Sequence, residues 1–139
     1  MFNIEDSIGF LMSKCHRKAF QMLKQRLEPY GITPPQFAAM SFLWQREGVI
    51  NQNQLGELLG TDNATLSGII DRLGKAGYVK RKKNMKDRRS FNLVLTEAGE
   101  NIYQQLEPIV REHNKTLAKP LEEEEQTTLI RLLKKMRLG

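Results

Sequence analysis

Near residue 78 the hydrophobic period of this chain switches from that of a helix to that of a strand, and by residue 96 it has switched back. In "DNATLSGIIDRLGKAG", Leu66, Ile69, Ile70 and Leu73 recur at i, i+3, i+4 and i+7, the stripe of a helix with one buried face. "YVKRK" and "SFNLVL" alternate instead, which places Phe91, Leu93 and Leu95 on one face of an extended segment. The turn between these two runs, within "NMKDRR", carries three basic side chains and one acid. One short ribbon set among helices predicts a mainly α chain with a small two- or three-stranded antiparallel wing.

The other segments read as helices. Residues 4–28 carry Ile8, Leu11, Met12, Cys15, Ala19, Met22, Leu23 and Leu27 at helical spacing, and Pro29 and Gly31 end the run. In "ITPPQFAAMSFLWQRE", Thr33 is the N-cap, Pro34 suits the first helical position and Gln36 completes a capping box. "NQNQLGELLG" is short, with Asn51 as cap, Gln54 three residues on, and Leu55, Leu58 and Leu59 facing inward. Gly60 stops it, Thr61 or Asp62 starts the next helix, and Gly77 ends that one. Thr96 caps a long helix through about 117, and Pro120 separates it from a last helix that starts on Glu122 to Glu125 and ends on Lys134, Lys135 and Arg137. That polarity matches the helix dipole, so these charges need no binding role. Six helices are expected in all.

The net charge of +6 is unevenly placed. Between residues 72 and 89 nine basic side chains face one acid, a local excess of +8, whereas the rest of the chain carries 13 basic and 15 acidic residues. Such a segment repels itself unless a polyanion faces it, so nucleic acid is the natural partner. No apolar run approaches the ~20 residues of a membrane span, and the start lacks a signal peptide; a cytoplasmic protein with no membrane partner is expected. The single cysteine excludes an intrachain disulfide and a four-cysteine zinc site, and two histidines without ligand spacing give no metal site or other cofactor.

Short helix, tight turn, helix and basic hairpin form a helix-turn-helix with a wing. The major groove of DNA admits one helix, which must keep its other face on its own core. Here Asn63, Ala64, Thr65, Ser67, Gly68 and Arg72 lie opposite the apolar stripe. The small ones allow close approach to base edges, and the polar ones offer hydrogen bonds to bases or phosphates. Asp71 counts against close phosphate contact. Gln54, Lys75, Arg81 and Lys83 are the expected phosphate contacts. The hairpin tip, with Lys86, Asp87, Arg88 and Arg89, is narrow enough for a minor groove, where negative potential draws arginine. Asp87 and Arg89 lie two apart, so the acid is expected to hold the guanidinium in a fixed pose.

These residues carry a family resemblance. "DRRSFNLVLTEAG" resembles the wing signature of the MarR family of winged-helix transcription regulators, and "LGELLGTDNATLSGIIDRLGKAGYVKR" is similar to that family's DNA-reading helices and first wing strand. The resemblance covers effectively the whole chain. It implies a single domain over 1–139, with dimerisation helices at 1–31 and 96–139 and a winged DNA-binding lobe at 32–95. It further implies a homodimer on double-stranded DNA, Arg89 in the minor groove oriented by Asp87, and the helix from 62 in the major groove. Asn84-Met85 stands where the family often has Asp-Pro, from which a looser turn is expected. A homodimer also follows from the apolar surface of the long terminal helices, which one small lobe cannot readily cover. Two reading helices would then lie about 34 Å apart on a pseudo-palindromic operator.

Family members commonly repress genes and respond to small phenolic or aromatic acids, bound between the dimer helices and the DNA lobe. Cys15, His16, Ala19, Phe37, Met40 and Trp44 are the candidate effector pocket. A redox-responsive regulator or a thiol enzyme acting through Cys15 is the alternative, and a winged-helix RNA-binding protein a further one. Against the thiol readings, Cys15 falls on the core stripe, and adjacent helical residues such as Cys15 and His16 diverge by about 100°. In the family's peroxide-sensing branch the cysteine lies about where Gly9 is here. Leu23 and Pro34 stand near the places of that branch's tyrosines.

Overall fold

The computed structural model describes residues 1–139. A single 3-10 turn at Ile4–Asp6 precedes α1 (Ile8–Leu27), and a second, Glu28–Tyr30, follows it. The lobe contains α2 (Pro34–Gln45), α3 (Gln52–Leu59), α4 (Asn63–Lys75), β1 (Val79–Lys83) and β2 (Phe91–Leu95). The chain ends with α5 (Glu97–Ala118) and α6 (Glu123–Leu138). No helix is long and apolar enough to cross a membrane.

The expected caps form. Thr33 and Gln36 close a capping box on α2, and Asn51 and Gln54 close one on α3, with Gln54 N–H donating to Asn51 Oδ1 at 2.8 Å and Asn51 N–H to Gln54 Oε1 at 2.9 Å. Asp62 is the residue that starts α4. At its far end Gly77, in the left-handed region at φ 82°, lets Tyr78 N–H return to Leu73 O at 2.9 Å, a closure only glycine makes without strain. Helical spacing carries α5 through Pro108, which gives up one bond to the Gln104 carbonyl.

The wing is two antiparallel strands in register Val79↔Leu95 to Lys83↔Phe91. The third strand is reduced to one bridge, Asn51↔Asn92, with Leu93 N–H donating to Ile50 O at 2.8 Å. This bond ties the wing to the start of α3. Phe91, Leu93 and Leu95 share one face of β2 as expected, but they are not equally covered. Leu93, two residues on, is buried, but Phe91 at the outer end of β2 is half exposed because the ribbon there has passed the edge of the lobe.

The core runs through Met40, Leu43, Leu55, Leu66, Leu73 and Leu93, and Leu27 and Leu106 join it from the long helices. The lobe and α5 meet at close range. Thr96 N–H donates to Tyr78 O at 3.0 Å, and a Cβ on Gly99 would fall 2.0 Å from that same oxygen. α1 differs from its sequence pattern: its stripe is exposed at Ile8, Leu11, Met12 and Cys15, half-buried from Ala19, and fully covered only at Leu27. Cys15 is therefore not a core residue of the single chain, because the first half of α1 runs out beyond the helices that pack its second half.

Candidate nucleic-acid interface

α4 is held by one face and free on the other. Leu66, Ile69, Ile70 and Leu73 are buried, while Asn63, Ala64, Thr65 and Arg72 are exposed and Ser67 and Gly68 half-buried. A Cβ added at Gly68 would meet nothing within 4 Å, so nothing inside the protein demands a glycine there. Asp62 caps the helix by accepting Thr65 N–H at 2.8 Å and the Thr65 hydroxyl at 3.0 Å. Those two bonds, the backbone one first, keep its carboxyl below the usual aspartate range. Two expected DNA-reading hydroxyls thus already have protein partners, since Ser67 Oγ accepts from Gln52 Nε2 at 3.0 Å. Sequence reasoning passed over Gln52; its only signal was its place in the first turn of the helix preceding α4.

Beside α4 the ribbon divides its charge between two faces, as strand alternation requires. Arg81 lies opposite Leu93, and Lys83 opposite Phe91. Arg81 lines the furrows toward Lys75 on α4 and toward Asn51, Gln52 and Asn53 at the start of α3. Arg81, Lys83 and Lys75 are all exposed. Gln54 is exposed as well, but its carbonyl is spent on the α3 cap, which leaves only its amide N–H groups to offer.

The tip is organised by two side-chain turns. Asn84 Oδ1 accepts Lys86 N–H at 2.9 Å, and its amide donates to Ser90 Oγ at 3.3 Å. Asn84 thus closes the turn, where its place in the sequence suggested a looser one. Asp87 Oδ1 accepts Arg89 N–H at 3.0 Å. The acid therefore orients Arg89 through the backbone and not through the guanidinium: a carboxylate two residues away reaches the near N–H first, as in an Asx turn. Lys86, Asp87, Arg88 and Arg89 are exposed, and the chain's one ion pair is elsewhere, between Arg111 and Glu107.

A fastened helix, a bare outer face and a basic ribbon beside it are the parts of a winged-helix DNA reader. In sequence the chain is 31% identical over 137 residues to the multiple antibiotic resistance protein MarR of Escherichia coli, covering 98% of this chain and 94% of that one. Residues 32–91 match the model of the MarR family. The chain belongs to the MarR family. It is also 32% identical over 96 residues to the organic hydroperoxide resistance transcriptional regulator of Bacillus subtilis, a match that spans 69% of this chain and 65% of that regulator. Among solved structures, mutant MarR of E. coli complexed with operator DNA superposes with a TM-score of 0.86 at 30% identity, over 98% of this chain and 97% of that one.

The single chain does not gather the residues expected to form a MarR-type effector pocket. Phe37 and Met40 are buried in the core. Cys15 and His16 are exposed on α1, where the His16 ring lies 6.1 Å from Phe20, and Ala19 is half-buried there. Trp44 alone of the six lines a sizeable cleft, of about 850 Å³, between the end of α2, the outer face of the wing and the first turn of α5. Phe37 and Trp44 meet only through Tyr103, on which both stack, at 5.3 and 5.2 Å between ring centres. The grouping fails because α2 is apolar all round: Phe37 and Met40 fill the core, and Trp44, a turn further on, reaches the opening.

Proposed function

We propose that this protein is a cytoplasmic transcriptional repressor that binds a pseudo-palindromic operator as a homodimer and is released by a small aromatic or phenolic acid. The observation that carries the reading is the pairing of α4, buried along one stripe and bare along the other, with a wing that bears most of an +8 excess of charge. α4 enters the major groove, Arg89 at the wing tip enters the minor groove, and Lys75, Arg81 and Lys83 take phosphates. A second copy is required because Ile8, Leu11 and Met12 on α1 and Leu129, Ile130, Leu133 and Met136 on α6 are exposed apolar residues on helices with no other cover. Covering them places two reading helices on one face of the duplex.

The cleft beside Trp44 suits the effector. Leu43, Trp44 and Val94 offer ring-sized apolar surface, and Lys80 and Lys82, on the Val94 face of the ribbon, offer ammonium groups to a carboxylate. Trp44 is the chain's only tryptophan, so titration with benzoate should quench its fluorescence and weaken operator binding together. In competition assays the operator should outcompete random duplex by about 10³-fold. Arg89→Ala should weaken binding by about tenfold and lower the slope of log K against log salt by about one. An unchanged slope would remove the wing from the interface.

A further inference from the structure

The two hydroxyls of α4 have opposite hydrogen-bond polarity, set inside the lobe. Gln52, the first residue of α3, reaches α4, and its Nε2 donates to Ser67 Oγ at 3.0 Å. The serine oxygen is an acceptor toward the protein, which leaves the serine proton to be given elsewhere. Three other helical hydroxyls return that proton to the carbonyl four residues back: Ser41 to Phe37 at 3.0 Å, Thr116 to Glu112 at 3.0 Å and Thr127 to Glu123 at 3.2 Å. Ser67 makes no such bond. Thr65 is the reverse case, because its Oγ1 donates to Asp62 Oδ2 at 3.0 Å and a carboxylate returns no proton. What Thr65 keeps for an outside partner is a lone pair and a methyl group.

We propose that Gln52 is a positioning residue for sequence specificity: by donating to Ser67 it commits that hydroxyl to donate to the duplex, so that Ser67 selects a base with an acceptor on its major-groove edge. This rests on α4 lying in the major groove, as under Proposed function. A free serine hydroxyl rotates to give or to accept and so discriminates poorly. With one lone pair taken by Gln52, its proton is satisfied by guanine N7 or O6, adenine N7 or thymine O4, whereas a cytosine amino group can only add to the second lone pair and leaves that proton without an acceptor. Thr65, one turn-half earlier, is satisfied by an amino donor or by a thymine methyl.

The test is selection from a random duplex library with the full-length wild type, Ser67→Ala, Gln52→Glu and Gln52→Met. The wild type should yield a two-fold symmetric consensus with a position at which cytosine is disfavoured about tenfold, the discrimination typical of a good polar base contact. Ser67→Ala should relax that position alone. In Gln52→Glu the side chain only accepts, so Ser67 must give its proton inward and show lone pairs outward. The same position should then turn toward cytosine. Gln52→Met releases the hydroxyl, and the position should relax without reversing. A Gln52 that served the fold alone would lower affinity for every sequence and leave the consensus as it was. The inference is overturned if Ser67→Ala leaves every position unchanged, or if both Gln52 variants that bind retain the wild-type preference. A wild type that enriches no consensus overturns operator reading itself, and this inference with it.

Discussion

The lobe of residues 32–95 and the terminal helices solve the burial problem differently. Of the sixteen apolar residues that form the core, all but Leu27, Tyr103 and Leu106 belong to the lobe. The terminal segments hold most of the large exposed hydrophobics, from Phe2 and Ile4 to Met136 and Leu138. The lobe is a finished core with a polar outer face. The terminal helices form half of a core, finished by a second copy in the proposed dimer. Stability of the first should be a property of one chain, and stability of the second a property of concentration.

The contrast can be broken most forcefully inside the lobe. Leu66 is fully buried, and Leu66→Ala should cost about 3 kcal/mol by loss of burial plus a cavity. Urea melts should show the same loss at every protein concentration. On α6, Leu133→Asp should barely change the unfolding of the lobe. It should shift the mass seen by light scattering toward one chain and lower operator affinity by about two orders of magnitude, the effect of a charge worth about 3 kcal/mol in an apolar contact. If Leu133→Asp instead destabilises the lobe at all concentrations, the division into finished and unfinished halves is wrong. A smaller and more pointed change is Gly68→Ala. The open space around Gly68 and the helical gain of alanine over glycine predict about 0.5–1 kcal/mol of added stability, together with weaker operator binding, because in the proposed complex the methyl would lie against the base edges. A mutant that is both more stable and as tight a binder would exclude close approach at that point.

The slightest expected effect concerns a buried polar group in the half that lacks a finished core. His113 on α5 is buried and its Nδ1 has no partner. Burial first, and the Arg26 charge second, hold its pKa below the ordinary histidine value of 6.5. The folded chain therefore keeps the ring neutral while the unfolded chain takes up a proton. Stability is full above pH 6.5 and declines as pH falls through the window between that value and the depressed one. Thermal melts across that range should show the decline in the wild type and a flatter profile in His113→Leu.

Much of this architecture was legible in the sequence because it is written locally. The capping boxes at Thr33 and Asn51, the stripe from Leu66 to Leu73, the glycine after α4 and the change of period at the wing each depend on residues within one or two turns. What escaped depends on residues far apart or on neighbours the chain itself does not supply. The bond from Gln52 to Ser67 spans fifteen positions. A periodic stripe says which face of α1 is apolar and nothing about how much of it is covered, so Cys15 and the residues before it read as core and are exposed. At the wing tip the pairing of Asp87 with Arg89 was correctly matched by spacing and wrongly matched by atom, because an Asx turn competes with an ion pair for the same carboxylate.

The junction of Tyr78, Thr96 and Gly99 has a mechanical consequence. With the Tyr78 carbonyl accepting Thr96 N–H and no room for a side chain at Gly99, the base of the wing and the first turn of α5 move as one piece. α5 has 22 residues, which makes it a lever about 33 Å long. A tilt of about 10° about its far end would carry the reading helix by about 6 Å, more than one helical turn of α4 and nearly two base-pair steps. In the proposed dimer, a small pivot where two copies cross would thereby be amplified into a loss of register on the operator, with no residue of the DNA-facing surface having to rearrange.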